Sequence, residues 1–216
     1  MPELEYVLPG EIERRSFEII DAECRARGFS PLPDALRPVV YRCIHTSADF
    51  DYYENLKFSE GVVPLAHGLL QNGATIVTDT NMGLSGVNKT ALKKLGCEAV
   101  CYMADPQVAQ AAKENGTTRA AASVDRAARL DGPVIYAVGN APTALVRLTE
   151  LIEAGSFRPA LVIGAPVGFV NVVAAKEMIM KSGVPYIVAA GRKGGSNIAA
   201  AIINALMYES VKELPE

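Results

Sequence analysis

The sequence has no tryptophan, only two histidines in 216 residues, and four cysteines. Cys24, Cys43, Cys97 and Cys101 form no C-x-x-C pair and no Cys/His zinc pattern, so they read as reduced structural thiols, and no protein-held metal is expected. No uninterrupted apolar run approaches the roughly 18 residues needed to cross a bilayer. Met1-Pro2-Glu3-Leu4-Glu5 lacks the basic start of a signal peptide, so a cytoplasmic location is expected. Excess basic charge is missing too. The formal net charge is −3 and the pI about 5.5, which gives no global attraction to nucleic acid or to an anionic membrane. An anionic ligand therefore needs a local cationic site. There is no G-x-G-x-x-G after the first β-prone run, no G-x-x-x-x-G-K-[ST] and no G-x-S-x-G. A dinucleotide cofactor, a Walker-type phosphate loop and an esterase nucleophile are thereby disfavoured.

What is present describes a soluble α/β protein. Half of the residues are hydrophobic and 21% are charged. The length suits one domain over residues 1–216, with a substantial core and no need of disulfides. Residues 11–28 carry apolar side chains at Ile12, Phe17, Ile19, Ile20 and Ala22, which predicts an amphipathic helix stopped at Gly28. Over 34–47, Leu36, Val39, Val40, Cys43 and Ile44 repeat at helical spacing, with Pro38 tolerated in the first turn. A strand over Val39–Ile44 is the competing reading. Residues 50–61 read as an aromatic and acidic loop, after which Ser59 is expected to cap a helix ending at Gln71. Then five short β-prone runs follow, at 74–78, 99–103, 134–138, 160–163 and 186–189, each expected to be buried on both faces. Helical segments separate them. The alternation predicts a three-layer α/β/α sandwich around a five-stranded parallel sheet.

Ligands of such sheets bind beyond the carboxyl ends of the strands, so the loops that follow the strands are the place to look. Asn140, Gly168, Arg192, Gly195 and Ser196 lie in them and are candidate substrate-binding residues. Glycines there let backbone N–H groups and helix N-termini approach a carboxylate or phosphate, although turn chemistry alone explains any single loop. The other focus is Arg42-Cys43-Ile44-His45. In a helix, residues three apart share a face, so Arg42 and His45 present a fixed cation and a switchable proton donor to one pocket, expected to be the carboxyl-end crevice. A partly buried, satisfied histidine is the alternative for His45. His67 lies in an apolar helical run and reads as structural.

As a set, Glu13-Arg14-Arg15-Ser16-Phe17, Arg42-Cys43-Ile44-His45, Asn115-Gly116-Thr117-Thr118-Arg119, Val138-Gly139-Asn140-Ala141-Pro142-Thr143, Pro166-Val167-Gly168-Phe169-Val170 and Gly191-Arg192-Lys193-Gly194-Gly195-Ser196 resemble precorrin-8X methylmutase. The likeness runs in order from about residue 10 to about residue 206. It implies a flavodoxin-like domain, a homodimer, and migration of a methyl group from C-11 to C-12 of precorrin-8X or cobalt-precorrin-8, giving hydrogenobyrinate or cobyrinate in cobalamin biosynthesis. It puts the catalytic histidine at His45 and substrate contacts at Ser16, Arg42 and Arg119, with no cofactor. The chemistry suits these residues. A methyl shift within a conjugated ring needs no nucleophile, and a histidine, with an ordinary pKa near 6.5, can lend a proton and take it back. A tetrapyrrole carrier without turnover and an unrelated nucleotide-binding regulator are the other readings. Whether the ring holds cobalt leaves no mark in the sequence.

Overall fold

The computed structural model describes residues 4–214. A 3₁₀ turn (Pro9–Glu11) leads into α1 (Ile12–Ala26). Then come α2 (Arg37–Ser47), α3 (Tyr52–Asn55), β1 (Leu56–Phe58) and α4 (Val62–Gln71). The alternating part follows: β2 (Thr75–Thr78), α5 (Asn81–Gly86), α6 (Lys89–Lys94), β3 (Glu98–Val100), α7 (Pro106–Glu114) and α8 (Arg119–Ala127). It closes with β4 (Val134–Val138), α9 (Pro142–Glu153), β5 (Leu161–Gly164), α10 (Val172–Lys181), β6 (Tyr186–Ala189) and α11 (Ser196–Lys212).

The sheet has the order β1-β6-β5-β4-β2-β3. Counted among themselves, the five parallel strands lie 2-1-3-4-5, the flavodoxin-like order. The sixth strand corrects the expected count of five. Leu56, Lys57 and Phe58 pair antiparallel with Ala189, Val188 and Ile187 at the edge, within what the sequence reads as loop. Three residues are too few for a periodicity to show. Ser59 does not cap α4: its hydroxyl accepts from the Tyr186 N–H (2.9 Å), and Gly61 stands at the helix start. At the opposite edge β3 is partly exposed rather than buried on both faces, because only β2 pairs with it.

Adjacent residues of the inner strands serve opposite layers. Ile76, Ile135, Ile163 and Ile187 face the core shared with α1, α2, α4, α6 and α11. Their neighbours Val77, Tyr136, Val162 and Val188 face α8, α9 and α10. A strand covered on both sides is apolar at every position, which is why these runs do not alternate. The α2 segment is helical, not strand. Val39, Val40, Cys43 and Ile44, at most 1% exposed, form its core side, and Pro38 sits harmlessly in the first turn. Ala48, left-handed at φ 54°, ends it through an N–H bond to the Ile44 carbonyl (2.7 Å).

Candidate active site

The strand order reverses between β2 and β4, where such sheets commonly hold a ligand. Here the protein fills that position itself. Asp79, 2% exposed, follows β2 directly; its Oδ1 accepts from the Gly139 N–H and its Oδ2 from the Asn140 and Ala141 N–H groups, all at 2.8 Å. These donors stand at the start of α9, and the anion that a helix N-terminus favours is the Asp79 carboxylate. Burial pushes the Asp79 pKa above the ordinary aspartate value, against the pull of the three N–H groups.

The neighbouring loops are equally self-satisfied. Gly195 donates to the Ala165 carbonyl (2.8 Å) and Gly168 to the Arg192 carbonyl (3.1 Å). Ser196 Oγ lies 2.7 Å from Thr80 Oγ1. The loops also touch: a Cβ on Gly139 would lie 2.5 Å from Ser196 Cα, and one on Gly194 would collide with the Ala165 carbonyl. Lys176 of α10, 1% exposed, donates to the carbonyls of Gly191 (2.8 Å) and Lys193 (2.9 Å), and burial pushes its pKa down to about 8. Lys193 bonds Asp49 (2.6 Å) and Asp51 (2.5 Å), which tether this loop to the end of α2 and raise the lysine's pKa. The backbone N–H groups of Asn140, Gly168 and Gly195 are therefore already engaged within the protein. Arg192 remains exposed, over the Phe169 ring at 5.5 Å.

Arg42 and His45 are carried by α2. Because the core side of α2 is apolar, both side chains emerge on its other flank, Arg42 between α1 and the last turns of α11 and His45 against Phe17 of α1. Arg42 Nη2 and Nη1 donate to Glu13 Oε1 (2.6 Å) and Oε2 (2.9 Å), and its Cζ lies 5.0 Å from the ring centroids of both Phe17 and Tyr208. These hydrogen bonds hold the Glu13 carboxyl below the usual glutamate range. His45 is exposed and stands edge-on to Phe17 (centroids 5.7 Å apart). Ser16, on the next turn of α1 after Glu13, donates to the Ile12 carbonyl (2.8 Å). An open groove of about 870 Å³ and another of about 400 Å³ run along this flank and share Glu13, Phe17 and Lys212; Arg42 lines the smaller. The exposed imidazole with an arginine one turn away can exchange a proton with a bound acid and anchor its carboxylates.

Arg119 stands apart from that pair. It is exposed at the start of α8, and α8 packs on α7 and α9, on the other side of the sheet from α2. His67 is partly buried, with Nδ1 3.4 Å from Glu213. Sequence reasoning missed Lys176. A signal existed: it falls four residues after Val172 and three before Ile179, on the buried stripe of α10.

The fold is that of a doubly wound α/β protein, and one flank carries an exposed histidine one turn from an arginine. Residues 11–209 match the family model described as precorrin-8X methylmutase. The chain is 44% identical to a cobalt-precorrin-8 methylmutase of Salmonella typhimurium, over 93% of this chain and 95% of that one. It is 38% identical to a precorrin-8X methylmutase of Pseudomonas aeruginosa, over 95% and 99%. The crystal structure of a precorrin-8X methylmutase from Thermus thermophilus superposes with a TM-score of 0.84 at 42% identity, covering 94% of this chain and 98% of that one. The chain belongs to the precorrin-8X methylmutase family, isomerases that migrate a methyl group in cobalamin biosynthesis.

Proposed function

We propose that this chain moves a methyl group from C-11 to C-12 of precorrin-8X or cobalt-precorrin-8, with His45 as the proton donor and acceptor. The observation that carries the histidine assignment is its exposure on the flank of α2, one turn from Arg42 and against Phe17. His45 protonates a ring nitrogen, which makes the acceptor carbon electron-poor. The bond from the methyl to C-11 breaks, the bond to C-12 forms, and the proton returns to His45. The reaction is an isomerisation, so no atom is gained or lost. General acid help of this kind contributes about 10²–10⁴ in rate, and holding the ring in reactive geometry supplies the rest.

Arg42 and Ser16 anchor the rim of the ring from α2 and α1. Arg119 contributes from the other side of the sheet, which supports a homodimer in which a second protomer brings it to the ring of the first. Asn140, Gly168, Arg192, Gly195 and Ser196 act chiefly by shaping the strand-end loops; Arg192 alone among them presents a free charge to a carboxylate. The whole chain acts as one domain, in the cytoplasm. The names of the relatives divide between the metal-free and the cobalt form.

Incubating the purified protein with each form of the substrate and following the visible spectrum tests the reading. Conversion to the orange corrin is expected, and the faster form identifies the natural substrate. Absence of conversion of both forms would refute it. Light scattering on the same sample is expected to give twice the protomer mass.

A further inference from the structure

The Arg42 guanidinium is held on its faces and on one edge. Two rings, Phe17 and Tyr208, lie 5.0 Å from its central carbon. Its Nε is buried and has no hydrogen-bond partner among the described residues, so a ligand in the groove does not reach that edge. The edge formed by the two Nη groups is held end-on by both oxygens of Glu13. The arginine side chain is 13% exposed and the glutamate 57%, so the carboxylate is the more solvent-accessible partner of the pair.

A carboxylate on the rim of a bound ring that takes the same bidentate edge of Arg42 must replace Glu13. We propose that Glu13 is a displaceable internal carboxylate, a stand-in that occupies the Arg42 fork in the empty protein and yields it to a rim carboxylate of the substrate. The proposal rests on the reading that Arg42 anchors the substrate.

The physical logic has three parts. A largely buried guanidinium without a counter-ion is costly, and Glu13 removes that cost while no ligand is bound. Swapping one bidentate carboxylate for another leaves the geometry at Arg42 unchanged, so the exchange adds little net affinity. What it adds is discrimination. An esterified or amidated rim group carries no charge to compete with Glu13 and leaves the fork shut. Glu13 itself is on the open side of α1, so it can swing into water without disturbing the core.

The test uses the full-length protein and its orange corrin product, titrated by visible absorbance into wild type, Glu13→Gln, Glu209→Gln, Arg42→Met and the Glu13→Gln/Arg42→Met double variant. Glu209 lines the same groove, so its substitution removes the same charge without touching the fork. If Glu13 competes, Glu13→Gln binds product about three- to tenfold more tightly than wild type, the range in which a half-exposed ion pair falls. Glu209→Gln then changes affinity by less, and Glu13→Gln has no effect once Arg42 is methionine. Binding by Glu13→Gln that is equal to or weaker than wild type overturns the displacement and makes Glu13 an orienting group. Equal tightening by Glu209→Gln or in the Arg42→Met background also overturns it, because the effect is then bulk charge. A wild-type protein that binds no corrin at all overturns the substrate reading together with the proposal, an outcome distinct from all the others.

Discussion

The strand-end loops and the flank of α1 and α2 are both polar, yet they use their polar groups in opposite ways. In the loops, Asp79 bonds three N–H groups, Lys176 bonds two carbonyls, and the N–H groups of Gly168 and Gly195 find carbonyls of neighbouring loops. On the flank, His45 is exposed, and Arg42 is held by a half-exposed carboxylate. A glycine-rich loop at the carboxyl end of a parallel sheet is therefore no proof of a ligand site. The switch point of this sheet carries its own anion, the Asp79 carboxylate.

Several substitutions can break this contrast. The largest effect is expected of His45→Ala, which should lower turnover by about 10²–10⁴ while product binding persists. Because His45 is exposed, its loss should shift unfolding by no more than about 0.5 kcal/mol. A rate equal to wild type would remove it from the mechanism. Asp79→Ala is the opposite case. It leaves three N–H groups without their acceptor and should cost about 3–5 kcal/mol in urea unfolding. Stability close to wild type would show that the switch point is not held as the hydrogen bonds indicate.

Lys176 offers a pH test. Its pKa in the folded chain is pushed down to about 8 from 10.5, so above pH 8 the unfolded chain retains a proton that the folded chain has shed. Stability at this group therefore rises with pH between about 8 and 10.5 and loses that gain below 8. Measured against Lys176→Met over that window, the wild type should gain roughly 2–3 kcal/mol. A flat difference would mean that the two carbonyls keep the ammonium charged. The smallest of these effects is expected of Gly139→Ala. Its new methyl would press on the backbone of Ser196 and cost about 1–3 kcal/mol. If that cost is absent, the loops have more room than their contacts imply.

Much of this could be read from residue order. The unbroken apolar runs of the inner strands follow from burial on both faces, and helix starts at Asn88, Asp105 and Thr118 are marked by side chains that cap them. The helical reading of α2 followed from its apolar spacing despite Pro38. The same spacing put Arg42 and His45 on one flank but could not say which neighbours that flank would meet. β1 escaped because three residues carry no period, and its partner Ile187 lies far along the chain.

The sequence by itself determined the fold class and most of the elements, because periodicity, capping and side-chain type are local properties. Tertiary structure alone decided which polar groups were already engaged. Asp79 meets Gly139, Glu13 meets Arg42 and Lys176 meets the 191–193 loop only when distant segments pack, and a charged group is available to a ligand only if no such partner has claimed it.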